Sequence, residues 1–185
     1  MKFFSLFGTA AFAAVGVLAL AACSNKPVPP CPQVRVDSNT ASVVNFAKNE
    51  RDLTQVTYAV GLLGYDGQCK FTKTGVEVSM DLTFDVFGGP AVKGGKLEVP
   101  YFVAIPQFYP KDYGKRVFTA SVNLPKAGQH TRFEQNNVKL FIPLKKDEPG
   151  AAYDVYVGLQ MSEADAEYNR ARRQAESENV PQARK

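Results

Sequence analysis

Apolar and polar residues alternate along most of this chain after residue 32. The clearest case is VEVSMDLTFDVF, residues 76–87, in which every second side chain from Val76 to Val86 is apolar. Successive side chains of a β-strand point to opposite faces, so this period of two predicts a strand with one buried face. Less complete alternation predicts further strands at residues 33–36, 56–62, 97–105, 118–124, 138–144 and 153–159.

Segments rich in glycine and proline separate these strands, with no helical pattern between them. The turn signals are YDG at 65–67, GGP at 88–90, GG at 94–95, PKAG at 125–128 and DEPG at 147–150. About seven strands joined in this way predict an all-β fold, an antiparallel β-sandwich of immunoglobulin-like type over residues 33–161. Pro100 and Pro106 lack backbone donors, which predicts that the strand at 97–109 lies at a sheet edge or is bulged.

The pattern becomes helical only near the end of the chain. Ser162 is a good N-cap, and Asp165 stands at the third helical position, where it completes a capping box. This predicts a helix within 162–178, polar nearly all round, with Tyr168 as its one large side chain able to dock on the sandwich. Residues 179–185 read as a disordered tail.

The first 22 residues form a separate unit. Lys2 precedes an apolar run that ends in Ala21-Ala22, the layout of a secretory signal, although a transmembrane helix is the competing interpretation. Leu20-Ala21-Ala22-Cys23 resembles a bacterial lipobox, which implies cleavage before Cys23 and acylation of that cysteine. The alternative is an ordinary signal followed by a free or buried cysteine.

Residues 23–32, CSNKPVPPCP, carry four prolines, which favour an extended polyproline form and predict a short tether between lipid and domain. Ser24 follows the lipidation position. In Gram-negative lipoproteins an aspartate at this position tends to retain the protein in the inner membrane. By resemblance, Ser24 therefore favours the periplasmic face of the outer membrane.

With Cys23 acylated, Cys31 and Cys69 remain as the other two cysteines. In an oxidising compartment two cysteines most simply pair, so we predict a Cys31–Cys69 disulfide. Two unpaired thiols are the alternative. A metal site is disfavoured, because His130 is the single histidine and no CxxC spacing accompanies it.

The composition offers little for catalysis. His130 stands in the polar segment KAGQHTRFEQ, which we interpret as a solvated loop, and no serine or cysteine occurs in a GxSxG context. The net charge of +4 is mild and the basic residues are scattered, unlike the concentrated stripe of a nucleic-acid binder. We therefore expect no enzyme activity, no cofactor, no metal and no nucleic-acid partner.

Two groups of residues are candidate interaction surfaces. Phe102, with Phe108 and Tyr109, falls on the outer face or beyond the end of the strand in VPYFVAIPQFYP, where either the chain itself or a partner must cover it. Arg170, Arg172 and Arg173 cluster on the terminal helix, where they serve solubility or contact an anionic partner.

Several segments together resemble small outer-membrane-type lipoproteins of alphaproteobacteria: the lipobox followed by CP, GGPA at 88–91, PYFVAI at 100–105 and VGLQMSEADAEYNR at 157–170. The resemblance implies a single periplasmic, lipid-anchored domain. It carries no catalytic residue onto any position of this chain.

These observations favour a non-enzymatic envelope protein that interacts with another envelope protein through loops or an exposed strand edge. The alternative is a lipoprotein that binds lipid or another hydrophobic ligand, with Tyr101 and Phe102 lining a cavity between the sheets. An enzyme is the third and weakest hypothesis.

Overall fold

A computed structural model describes residues 29–48 and 51–178. The expected signal segment, the lipidation site Cys23, most of the tether and the C-terminal tail lie outside the described residues. The strands are β1 (Gln33–Val36), β2 (Ser42–Phe46), β3 (Val56–Phe71), β4 (Gly75–Gly88), β5 (Lys96–Ala104), β6 (Lys115–Asn123), β7 (His130–Pro143) and β8 (Asp154–Leu159), followed by helix α1 (Glu163–Glu178).

The strands form two four-stranded sheets. The first sheet has the order β1-β8-β5-β6 and the second has the order β2-β3-β4-β7. The predicted all-β fold with one C-terminal helix is confirmed, but the described residues hold eight strands rather than about seven. β1 pairs with β8 in parallel, so the sandwich is not wholly antiparallel.

The immunoglobulin-like topology is not confirmed. Constant-type immunoglobulin domains place their first, second, fifth and fourth strands in one sheet. Here the second, third and fourth strands form a continuous meander with β7 beside β4. The reason is the long β3–β4 hairpin, whose register runs over almost the whole of both strands and keeps them in one sheet.

The core lies between the two sheets. Alternate side chains of β4 from Val76 to Val86 point inward and are at most 3% exposed. They meet the inward side chains of β5, and the rings of Phe84 and Tyr101 lie 5.6 Å apart. Each large apolar side chain buried in this way contributes roughly 1.5–3 kcal/mol, so the period of two in β4 contributes much of the stability.

Two strands are much longer than predicted. β3 continues through Tyr65-Asp66-Gly67, which we predicted as a turn, because these residues pair with Met80–Leu82 of β4. The hairpin instead turns at residues 72–74, where Thr72 N–H donates to the Gly75 carbonyl at 2.8 Å. β7 begins at His130, so this histidine is a strand residue and not part of a loop.

The placement of β5 at an edge was also wrong, because β5 lies between β8 and β6. Its pairing with β8 starts at Tyr101, one residue beyond Pro100. The missing Pro100 donor therefore falls where the neighbouring strand has ended, and an internal position tolerates it.

Helix α1 has the predicted bounds and cap. The Ser162 hydroxyl oxygen accepts the Asp165 N–H at 3.2 Å and donates to the Asp165 carboxylate at 2.7 Å. The docking residue differs from the prediction: Tyr168 remains 39% exposed, whereas Asn169 is 5% exposed.

Candidate interaction surface

Four strands lie at sheet edges in the described part of the chain: β1, β2, β6 and β7. An edge strand presents unpaired N–H and C=O groups that another chain can pair with, and proteins usually protect such edges. The edges of this protein differ in how far they are protected.

The β1 and β2 edges are protected by side chains of the same protein. β1 is only four residues long, and the Tyr65 hydroxyl donates to the Val34 carbonyl at 2.8 Å. On β2, the side-chain amide of Asn169 donates to the Ser42 carbonyl at 2.7 Å and to the Asn39 carbonyl at 3.0 Å. Helix α1 thus lies along the start of the β2 edge.

The β7 edge is long but interrupted. Its register with β4 shifts between Met80 and Leu82, and Asn137 has a positive φ of 60°. The Asn137 N–H donates to the Asp81 carboxylate at 2.7 Å. Exposed charged side chains, including Arg132 and Lys139, follow on both sides of this bulge. Bulges and charges are common devices against unwanted strand pairing.

Beyond its first two residues, Lys115 and Arg116, the β6 edge lacks these devices. β6 spans nine residues, pairs with β5 without any register shift, and carries no charge from Val117 to Asn123. No helix, proline or bulge of the described residues protects it. Val117, on the outer sheet face, is 54% exposed.

The hydrogen-bond alternation shows which β6 groups face outward. Leu124 N–H donates to the Gly95 carbonyl at 2.8 Å, just beyond one end of the β5–β6 ladder. Ile105 N–H donates to the Gly114 carbonyl at 2.8 Å, just beyond the other end. Facing residue pairs of an antiparallel ladder are alternately hydrogen-bonded and non-hydrogen-bonded. The even-numbered residues of β6 therefore form the backbone hydrogen bonds to β5. The odd-numbered residues, Thr119 among them, direct their N–H and C=O groups to the open edge.

A row of aromatic rings leads to this edge through the core. Phe133 of β7 stacks on Phe84 at 5.1 Å, and Tyr101 of β5 stacks on Phe118 of β6 at 5.4 Å. The Arg116 guanidinium lies 5.2 Å from the centre of the Phe118 ring. Phe118 and Phe133 are only partly buried, because no strand of the described residues covers the side of the sandwich between β6 and β7.

The predicted aromatic surface is largely internal. Phe102 is 9% exposed, and a Cβ added to Gly158 would lie 2.8 Å from its ring, so the ring packs over this glycine. Lys115 lies 4.5 Å above the same ring. Phe108 packs against Tyr153, with ring centres 5.0 Å apart. The chain itself therefore buries Phe102 and partly buries Phe108, whereas Tyr109 is 80% exposed.

The three arginines of α1 have different surroundings. Arg170 lies 3.9 Å from Glu167 and Arg172 lies 3.7 Å from Glu176, and all four side chains are largely exposed. Arg173 is half-buried and donates to the Asn39 side chain. Arg172 also donates to the Ser42 hydroxyl of β2 at 3.5 Å. Arg172 and Arg173 thus both contact residues at the β2 edge, whereas Arg170 pairs within the helix.

The predicted disulfide is confirmed. Cys31 and Cys69 are bonded, with their Cα atoms 5.9 Å apart. The bridge joins the segment before β1 to the far end of β3. Nearby, the Glu148 carboxylate accepts the Lys145 N–H at 2.8 Å and the Tyr153 hydroxyl at 3.0 Å. The Lys145 N–H bond lowers the pKa of Glu148, and the Tyr153 hydroxyl adds to this effect.

A groove of about 480 Å³ lies on the outer face of the second sheet, beside α1. Its floor is largely apolar, and its rim includes His130, whose Nδ1 lies 2.7 Å from the Asp85 carboxylate. Arg132 also lies 3.7 Å from Asp85, and the His130 side chain is 61% exposed. His130, Arg132 and Asp85 thus form a small polar cluster at the surface. Residues 29–48 and 51–178 contain no group of three or more His, Cys, Asp or Glu side chains placed to hold a metal.

Comparison of the chain with family models, curated proteins and solved structures found no match. In the described ranges, no helix combines the length and apolar character needed to cross a bilayer.

Proposed function

We propose that this protein is a lipid-anchored envelope protein, held at the periplasmic face of the outer membrane through Cys23, that binds another envelope protein and catalyses no reaction. The observation that supports the binding role is the unprotected β6 edge, since the β1, β2 and β7 edges all carry protective features. The anchor is supported by the order of signal segment, lipobox and proline-rich tether in the sequence.

The partner would add an extended strand beside β6. Its backbone would bond to the outward N–H and C=O groups of Val117, Thr119 and Ser121, the mode known as β-augmentation. Its inward side chains would cover the partly buried rings of Phe118 and Phe133. Lys115 and Arg116 at the start of β6 favour an acidic residue at the corresponding end of the added strand.

Site-specific photocrosslinking in cells tests this role. A photoreactive residue at Val117 should capture a recurrent partner, whereas the same residue at Leu63 should not. These positions are a matched pair, because Val117 is 54% and Leu63 is 53% exposed, but Leu63 lies on the internal strand β3. Equal capture at both positions, or none at Val117, would contradict the proposal.

A second variant separates strand addition from ordinary surface contact. Thr119→Pro removes an outward donor while leaving the bonds to β5 intact, and edge strands tolerate such prolines. It should abolish capture at Val117, whereas Thr119→Val, which keeps the N–H, should retain it. If the photoreactive residue at Val117 captured only a second copy of this chain, the partner would be the protein itself.

A lipid or hydrophobic-ligand binder is the second candidate function. The apolar groove beside α1 supports it, with Val44, Ala59 and Gly61 on its floor and Tyr168 at its rim. A cavity between the sheets has less support, because Tyr101 is 2% exposed and packs between other core rings. If the groove binds lipid, native mass spectrometry of the wild type extracted from membranes should show a bound amphiphile. The Ala59→Arg variant should lack it. A ligand-free domain would count against this candidate.

A further inference from the structure

The tether enters the sandwich at one end, which we call the tether pole. The tether pole consists of Pro30, Cys31 and the loops at residues 72–74, 105–114 and 144–152. A Cβ placed on Gly150 would lie 3.1 Å from the Phe71 ring and 3.2 Å from the Pro30 carbonyl oxygen. The Cys31–Cys69 disulfide fixes the chain at this end of β3.

The three loops contact one another or a common strand end. Leu144 N–H donates to the Thr74 carbonyl at 3.1 Å, which joins the end of β7 to the β3–β4 turn. The Gln107 side-chain amide donates to the Ala152 carbonyl at 3.4 Å. The Phe108 ring lies 5.0 Å from that of Tyr113. The loops therefore form one surface around the point where the tether enters.

This surface carries exposed amphipathic aromatics beside lysines. Tyr109 is 80% and Tyr113 is 46% exposed, and the Lys111 ammonium lies 5.6 Å from the centre of the Tyr113 ring. Tyrosines with one apolar and one polar end are favoured at the boundary between lipid and water. The exposed lysines of the three loops are Lys73, Lys111, Lys145 and Lys146, and the acidic residues are Asp112, Asp147 and Glu148.

The tether is too short to hold this pole far from a bilayer. Cys31 follows Cys23 by eight positions, with seven residues between them. At no more than about 3.6 Å per residue, eight steps of chain reach at most about 29 Å. The opposite end of the sandwich, where Leu53 lies, is a further 45 Å or so along β3 and β4, at about 3.3 Å per residue.

We propose that the tether pole lies directly against the phospholipid surface, with Tyr109 and Tyr113 in the headgroup region. This inference rests on the proposed lipid anchor at Cys23. It adds an orientation: the long axis of the sandwich stands away from the membrane, and β6 runs from Lys115 near the lipid to Asn123 away from it.

The test uses the full lipidated chain in vesicles of phosphatidylcholine and phosphatidylglycerol that contain a phospholipid with a photoreactive headgroup. Labelled sites are mapped by mass spectrometry. We expect labelling at Tyr109 and Tyr113 and none at Leu53, a matched control because it is 78% exposed at the opposite end. Equal labelling of Tyr109 and Leu53 would overturn the inference.

Two variants extend the test. Tyr109→Ser combined with Tyr113→Ser should leave the anchor intact and reduce labelling of the 144–152 loop several-fold, whereas Leu53→Ser should change nothing. Reversing two lysine charges, in Lys111→Glu with Lys146→Glu, should lower labelling in these vesicles by about thirtyfold or more, and unchanged labelling would overturn the contact of these loops with the anionic lipid. Undiminished labelling in the double tyrosine variant would overturn the role of those rings.

Acylation of Cys23 is measured separately, from the mass of the peptide that begins at this residue. An acylated peptide without labelling at Tyr109 would refute the orientation alone. An unmodified Cys23 would refute the proposed anchor, and the orientation with it.

Discussion

The side-chain amide of Asn169 lies 2.7 Å from the carbonyl oxygen of Ser42 and joins helix α1 to the edge of the second sheet. Asn169 is the one buried polar side chain of α1 in the described residues. Around it, Arg51 stacks on Tyr168 at 4.0 Å and lies 3.4 Å from Asp165. A helix with a polar surface is therefore docked by a few specific polar contacts rather than by an apolar stripe.

Asn169→Ala should release α1 from β2. The variant loses two hydrogen bonds to backbone carbonyls, at a cost of about 1–2 kcal/mol. Hydrogen exchange over residues 163–178 should accelerate while the strands stay protected. Arg170→Ala is the control, since its exposed ion pair with Glu167 contributes little. Unchanged exchange in Asn169→Ala would show that other contacts hold the helix.

Gly158→Ala should destabilise the first sheet. The added methyl carbon would lie 1.9 Å from the Thr40 hydroxyl oxygen and 2.8 Å from the Phe102 ring, so both must move. Overpacking of this kind costs about 1–3 kcal/mol. Thermal or urea unfolding measures the change. Gly64→Ala should behave like the wild type, because no described residue other than the two chain neighbours lies within 4 Å of the new methyl.

Cys31→Ser should weaken the fold without affecting the proposed anchor. The disulfide spans 38 positions of sequence. The chain-entropy model assigns a loop of this size about 4 kcal/mol, less any strain in the native state. In urea unfolding, reductant should lower the free energy of unfolding of the wild type and leave that of the variant unchanged. Equal stability of the two proteins under oxidising conditions would contradict this account.

Cys23→Ser is the complementary change. It should abolish acylation, detected as a mass shift of the N-terminal peptide, and release the protein from membranes. The unfolding midpoint should stay at the wild-type value, because every hydrogen bond and core contact described above lies within residues 29–178. An N-terminal peptide of the Cys23→Ser variant that still carried the mass of acyl chains would contradict the lipobox interpretation.

Glu148 should make stability depend on pH in the acid range. Folding lowers its pKa below the ordinary value of 4.5, chiefly through the Lys145 N–H bond. The stabilisation is therefore complete above pH 4.5 and is lost as the pH falls through the folded-state pKa. Glu148→Gln should lower the melting temperature at neutral pH, and its difference from the wild type should shrink on acidification. Glu134→Gln, an exposed change on β7, should follow the wild type at every pH.

The local sequence pattern predicted those elements that bury only one face. The strict alternation of residues 76–87 predicted β4, because a strand buried on one face repeats every two residues whatever its neighbours are. The start of α1 was predicted by the Ser162 and Asp165 cap, a contact made within one turn. The second half of β3 was missed: Tyr65-Asp66-Gly67 has the chemistry of a turn, and only pairing with β4 makes it strand.

β2 was missed for a related reason. Its sequence SVVNF has two adjacent valines and no clear alternation, and its strand conformation depends on pairing with β3. The burial of Phe102 likewise depends on Gly158 and Thr40, which are distant in sequence. No local signal marks such contacts.

The sequence alone determined the all-β class, the terminal helix and the Cys31–Cys69 pairing, because alternation, capping and the supply of cysteines are local or compositional properties. It also contains the whole argument for the lipid anchor. The tertiary structure decided which strand edge stays open, which aromatics are buried, and that Pro30 lies beside the 144–152 loop, which contacts the loop bearing Tyr109 and Tyr113. These are outcomes of strand order and register, which depend on contacts between segments far apart in the chain.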